Sequence, residues 1–227
     1  MLVDDNANQI HSSRKQKSVT INQFSPLLGV LLFLTLGIGV RALIQLRRHG
    51  GSGIVLFRGE PIGRLLGMLA LVPCTVLVGE GLLAAFAPDR LTPFGQFLPS
   101  RAVLVVRPVG LVLLFGGTAL MFLAQLDLGA SWRIGIDHQL SPGLVTTGIY
   151  QFCRNPIFLF MFAAFAGFAL LVPSWLSLAV VVGVVIGFRH EVVHVEEPYL
   201  LRTYRDEYRA YAARVGRFLP RIGRFQR

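Results

Sequence analysis

The segment RHEVVHVEEPYL, residues 189–200, gathers side chains that can do chemistry. His190, Glu191 and His194 spell H-E-x-x-H, the spacing at which a helix offers two imidazoles to zinc beside a glutamate base. Glu197 lies nearly a further turn along that face. Two histidines and a carboxylate would make a catalytic zinc set with one position left for water. A membrane-embedded metalloprotease is therefore one alternative. Against it, Pro198 is expected to disturb the helix where Glu197 would have to be held. Asp206 and Glu207 fall on a separate helix and make no convincing third ligand, so no metal is expected. The plainer alternative makes His190 and His194 interfacial side chains at the end of a span.

A second polar segment, DLGASWRIGIDHQLSPGLVTTGIYQFCRNPIF, covers residues 127–158. Its Gly, Ser, Thr and Pro content up to Asn155 makes residues 127–155 too polar to cross a membrane, and loops of that size in compact proteins are usually functional. Cys74 and Cys153 lie in or beside apolar segments, with neither metal-ligand spacing nor a disulfide framework between them.

These residues must be positioned by an unusually apolar chain. Of 227 residues, 53% are hydrophobic and 15% charged, a balance that points to a membrane protein. Apolar runs at 24–46, 62–86, 102–126, 156–172 and 174–195 predict an all-α integral membrane protein with about five transmembrane helices. Only Pro173 and Ser174 separate the last two, so they form a short C-terminal helical hairpin, with Asn155-Pro156 at its start. The chain thus divides into a polar tail (1–23), three transmembrane helices (24–126) and a catalytic region (127–227). The first span carries Arg41 with no cleavage site after it, and it is expected to remain as an anchor.

The net charge is +10. Nine arginines lie between 189 and 227, and Arg47, Arg48 and Arg58 follow the first span. The positive-inside rule then places the N-terminus outside, with the 127–155 loop and the C-terminus in the cytoplasm, in a membrane expected to be a bacterial inner one. Arginines beside a span suit anionic lipid headgroups rather than nucleic acid. Past Pro198 a kink and a new helix over 198–215 are expected. Leu200, Tyr204, Tyr208, Tyr211 and Val215 recur on one of its faces, and Arg202, Arg205 and Arg209 lie away from it. That pattern predicts an amphipathic helix at the membrane interface.

Two blocks, LVTTGIYQFCRNPIF (144–158) and EEPYLLRTYRDEYRAYAARVGRFLP (196–220), resemble the two signature blocks of the isoprenylcysteine carboxyl methyltransferase family. Related membrane methyltransferases, including phospholipid N-methyltransferases, share the general pattern. The resemblance implies a cytosol-facing pocket for S-adenosylmethionine beside a tunnel open to lipid. By position it assigns Leu144, Val145, Tyr150, Arg154, Asn155, Pro156, Ile157 and Phe158 to the cofactor, together with His190, Glu196 and Glu197. Glu196 takes the place of the family's cofactor-binding glutamate. The residue types suit the ligand: a carboxylate for its ammonium, aromatic rings for its adenine or sulfonium, and helix N-terminal NH groups for its carboxylate.

Four positions depart from the family pattern. Asn155 stands where histidine is common, and Phe158 where tyrosine is. The arginine that prenylcysteine enzymes use for the substrate carboxylate aligns near Val192, with Arg189 the nearest substitute. The F-G position reads Tyr204-Arg205. The acceptor that the resemblance favours is a prenylcysteine carboxylate. The alternative is an amine headgroup or a thiol, for which Glu191 or His194 would serve as base. Either way the expected partners are a lipophilic or prenylated small molecule and membrane lipids. Arg41, Glu80 and Arg107 lie inside apolar spans, where an unpaired charge is costly. A Glu80–arginine ion pair joining helices is expected, the alternative being an arginine that meets an acidic group on the substrate. Trp132 and Arg133 are read as either interfacial anchors or substrate contacts.

Overall fold

The computed structural model describes residues 23–55, 71–134 and 143–225. They form α1 (Gln23–His49), α2 (Leu71–Phe86), α3 (Ser100–Asp127), α4 (Pro156–Leu171), α5 (Trp175–Glu191) and α6 (Glu197–Arg214). Among the described residues there is no strand, only isolated bridges. The chain is an all-α integral membrane protein. α1, α3 and the continuous run Trp175–Arg214 are long and apolar enough to cross a membrane. Leu104, Val105 and Val112 on α3 are 72%, 77% and 70% exposed, a surface suited to lipid rather than water. The expected span 62–86 is helical over Leu71–Phe86, and its first part lies outside the described residues.

α4 is apolar on every side and sits centrally, packed along α3. Gly167 makes that approach possible. A Cβ there would lie 2.4 Å from the Leu114 backbone nitrogen and 2.6 Å from the Gly110 carbonyl. Helices in membranes associate through such small residues, because apolar side chains gain little by leaving lipid. Phe33, Leu77, Leu114, Met121, Phe165 and Phe168 fill the core around this contact.

The hairpin turns at Val172–Ser174. Ser174 caps α5 by accepting from the Ser177 backbone N–H at 2.8 Å, and its own hydroxyl donates to Glu80. The expected Glu80–arginine pair is therefore replaced by a serine contact, since each arginine has other acceptors. Arg41 is buried and donates to Gln45 Oε1 at 2.8 Å and to the carbonyls of Gln125 and Gly129. Its guanidinium lies 4.6 Å from the Trp132 ring centroid. Trp132 is buried, so its ring is a packing partner of Arg41 and not an exposed anchor. Arg107 NH2 lies 3.4 Å from Ser25 Oγ.

Pro198 does not kink the chain as expected. Residues Val192–Glu196 form a π turn, and the Glu197 N–H reaches the Val192 carbonyl five residues back. The wider turn accommodates a residue that has no N–H and whose ring would press on the carbonyl four residues earlier. The helix breaks later, at Arg205, where φ is 45° and ψ is −117°.

Candidate active site

The site region forms where the start of α4, the π turn and the chain after α6 meet. Asp127, ending α3, accepts from the Ile149 N–H at 2.8 Å and so fixes the short 3₁₀ turn Gly148–Gln151. Tyr150 on that turn is buried, and its carbonyl accepts from the Tyr211 hydroxyl at 2.6 Å. Burial pushes the Tyr150 phenol up, so it stays a neutral hydrogen-bonding group. Leu144 packs on the cluster of Tyr208, Tyr211 and Ala212, together with Leu200, Tyr204 and Val215. The face predicted for the last helix is therefore the one that packs. Val145 is half-buried.

Beyond Tyr150 the chain runs alongside residues 215–217. Cys153 pairs with Gly216 as a parallel bridge. The Arg154 N–H donates to the Gly216 carbonyl at 2.9 Å, and the Asn155 N–H to the Arg217 carbonyl at 3.0 Å. Only glycine fits at 216, because a Cβ there would sit 2.0 Å from the Leu219 carbonyl oxygen. Burial pushes the Cys153 thiol up to about 11, so at neutral pH it is no nucleophile.

Arg154, Glu197 and Arg217 form a buried network. Arg154 NH2 lies 2.7 Å from Glu197 Oε1. Arg217 reaches Oε1 through Nε at 2.8 Å and Oε2 through NH2 at 2.9 Å. Arg154 also donates to the carbonyls of Ala212 and Gly223, and its guanidinium lies 4.9 Å from the Phe225 ring centroid. Arg154 is 6% exposed and Glu197 4%. Both residues, expected at the cofactor, thus hold the loop, α6 and the C-terminal segment to one another. These hydrogen bonds offset part of the desolvation of the charges.

Glu196 is placed differently. It is half-buried and has no hydrogen bond or ion pair among the described residues. Glu191 and Glu197 lie close enough for their charges to act on it. It lies close enough for its charge to act on the Tyr150 phenol. Asn155 directs its side-chain amide to the Arg217 carbonyl at 3.0 Å instead of capping α4. The first-turn N–H groups beyond Pro156, those of Ile157 and Phe158, therefore lack a side-chain cap. Pro156 is buried, Ile157 packs on the bundle core, and the Phe158 ring meets Phe188 at 4.7 Å between centroids.

Arg189 and His190 are exposed on α5, and Glu191 is half-buried. The rings of His190 and His194 stack with centroids 4.3 Å apart. Among the described residues no group of three or more His, Cys, Asp or Glu side chains is placed to hold a metal ion. Glu197, which the zinc alternative requires as third ligand, is engaged by two arginines.

Sequence reasoning missed Arg217, Gly216, Tyr211 as a partner of Tyr150, and Asp127. Arg217 is one of nine arginines in its region, and nothing in its neighbours distinguishes it. Tyr211 did carry a signal through its place on the predicted stripe.

The phospholipid methyltransferase family model matches residues 105–207. The nickel-cobalt-cadmium resistance protein NccN of Alcaligenes xylosoxydans xylosoxydans is 30% identical over 100 residues, 44% of this chain and 46% of its own length. The protein-S-isoprenylcysteine O-methyltransferase of Saccharomyces cerevisiae is 37% identical over 79 residues, 35% of this chain and 33% of its own. The chain spans less than half the length of these curated relatives. The matched stretch contains both the start of α4 and the Glu196-Glu197 turn, and over it the chain is similar to membrane methyltransferases of the phospholipid and isoprenylcysteine kinds.

Proposed function

We propose that this protein is an S-adenosylmethionine-dependent membrane methyltransferase whose acceptor is lipophilic, a prenylcysteine-like carboxylate first. The observation that carries the proposal is Glu196, a half-buried carboxyl without a partner among the described residues, on a turn whose next residue, Glu197, is tied to Arg154 just before the start of α4, which Asn155 leaves uncapped. This pair of features suits a zwitterionic amino acid moiety. Glu196 offers a carboxylate to the ammonium, and the N–H groups of Ile157 and Phe158 offer donors to the carboxylate. Leu144, Val145 and Tyr150 supply the neighbouring apolar wall. When bound, S-adenosylmethionine provides an electrophilic methyl on a sulfonium. The protein's work is then alignment and exclusion of water. The Arg154–Glu197–Arg217 network contributes by holding the Tyr150 loop, the π turn and the C-terminal segment in fixed relation.

A carboxylate acceptor needs a cation and no base, and Arg189 is the arginine we assign to it. Its exposure on α5 suits a substrate that arrives from the lipid or the interface. An amine acceptor is the second reading. It is favoured by Glu191, half-buried and close enough to influence Glu196, and by the description of the matching family. The distribution of arginines supports an orientation with this end cytoplasmic, in what we take to be a bacterial inner membrane.

Calorimetric titration of the purified protein with S-adenosylmethionine, repeated on Glu196→Ala, tests the proposal. Wild type should bind, and the variant should lose about tenfold or more in affinity, the loss typical of a charge-assisted contact. Absence of binding to wild type would sink it. Transfer of labelled methyl to a prenylcysteine analogue, against transfer to phospholipid amines, then distinguishes the two acceptors.

A further inference from the structure

Neither the arginine clasp nor the contacts given to the methyl donor use the histidine pair after Arg189. His190 lies in the last turn of α5 and His194 in the π turn that follows. Both are exposed. Their rings stack with centroids 4.3 Å apart and planes 25° from parallel. Residues four apart share a helix face, so the two imidazoles stand one above the other across the junction of α5 and the π turn.

His194 is already oriented as a ligand. Its Nδ1 lies 3.0 Å from the His190 carbonyl. A carbonyl only accepts, so Nδ1 carries the proton and Nε2 keeps its lone pair. Metal-binding histidines are held in this way, with the second ring nitrogen fixed on a carbonyl or carboxylate. At the observed ring separation, small side-chain rotations bring one lone pair of each ring to a shared cation, at about 2.0–2.1 Å. Two neutral imidazoles suit zinc and the later first-row divalent cations, whereas magnesium and calcium prefer oxygen. Water takes the cation's other positions. The arrangement is distinct from the three-ligand zinc set, whose third member, Glu197, is bound by Arg154 and Arg217.

We propose that His190 and His194 form a two-point site for a divalent cation of borderline softness, such as Zn²⁺ or Ni²⁺. The two ligands converge only when the chain is wound as it is here, so the cation braces the junction between α5 and the π turn. That turn sets the directions of Glu196 and Glu197. A cation held across it favours the folded state by mass action. The site is independent of the methyl-donor reading, because its ligands and its readout involve neither donor nor acceptor.

The test is thermal unfolding of the full chain in detergent micelles, without a histidine tag and without S-adenosylmethionine, at increasing zinc or nickel chloride. Each cation should raise the midpoint of wild type in a saturable way, and Mg²⁺ at the same concentrations should not. Calorimetric titration of the folded chain gives the affinities directly. Ni²⁺ should bind more tightly than Co²⁺, and Co²⁺ more tightly than Mn²⁺. His190→Ala and His194→Ala should each weaken binding by at least about tenfold, because one imidazole alone loses the gain of two linked ligands. His49→Ala, an exposed histidine ending α1, should leave it unchanged. No saturable binding of either cation would overturn the proposal, and so would an equal effect of Mg²⁺. Loss in only one of the two variants would leave a single-histidine contact and overturn the two-point site. Unchanged affinity in both would put the cation elsewhere and overturn it outright.

Discussion

Glu197 and Arg217 meet in a two-point contact, Nε to Oε1 at 2.8 Å and NH2 to Oε2 at 2.9 Å, with Arg154 on the same carboxylate from the other side. The carboxylate is the hub, and it is the member whose loss leaves two cations facing each other.

The two ends of this network should therefore respond unequally. Glu197→Gln leaves Arg154 buried without its counter-charge and should cost about 3–5 kcal/mol, the range for breaking a buried pair from one side. Arg217 is partly exposed, so solvent screens its share, and Arg217→Gln should cost about 1–2 kcal/mol. Chemical or thermal unfolding in micelles measures both. Equal costs would mean that the hub is not where the geometry puts it.

Arg205 adopts a positive φ in the middle of α6, a conformation that costs a side-chain-bearing residue about 1–3 kcal/mol. It occupies the place where the resembled family pattern has glycine. Arg205→Gly should raise stability by about 1 kcal/mol, although glycine in a regular helix would lower it. A fall in the unfolding midpoint would show an unbroken helix at this position.

Gly167→Ala should separate α3 from α4, because the methyl has only backbone to meet, at 2.4 Å. The expected cost is about 2–3 kcal/mol. Gly183→Ala on α5 is the control. A Cβ there meets nothing within 4 Å, and alanine should be neutral or better by up to about 1 kcal/mol.

Periodicity and block order carried far in this chain, and stopped at identifiable places. The apolar run after Asn155-Pro156 became α4 almost residue for residue, because proline and a continuous apolar surface are local signals. The stripe from Leu200 to Val215 packs as expected, since a 3.6-residue period survives a single backbone break. The choice between Glu196 and Glu197 was not legible. Neighbouring residues on a helix differ by about 100° in direction, and a π turn, which no composition announces, sets which one faces the arginines. The clasp of residues 215–217 on 153–155 was equally hidden. It is made of backbone N–H and carbonyl groups, and every residue but proline carries both.

The π turn at Val192–Glu196 also makes this stretch sensitive to its length. A π turn contains one residue more than the α turn it replaces. Deleting Val193 would let the turn close as ordinary helix with α6 facing as it does now, because the π turn already absorbs the extra residue. Deleting a second residue would swing α6 by about 100° relative to α5 and carry Glu196 and Glu197 out of their present directions together. Exchanging Val193 for another apolar residue would leave both carboxylates where they are. Between the last span and the arginine clasp, the number of residues matters more than their identity.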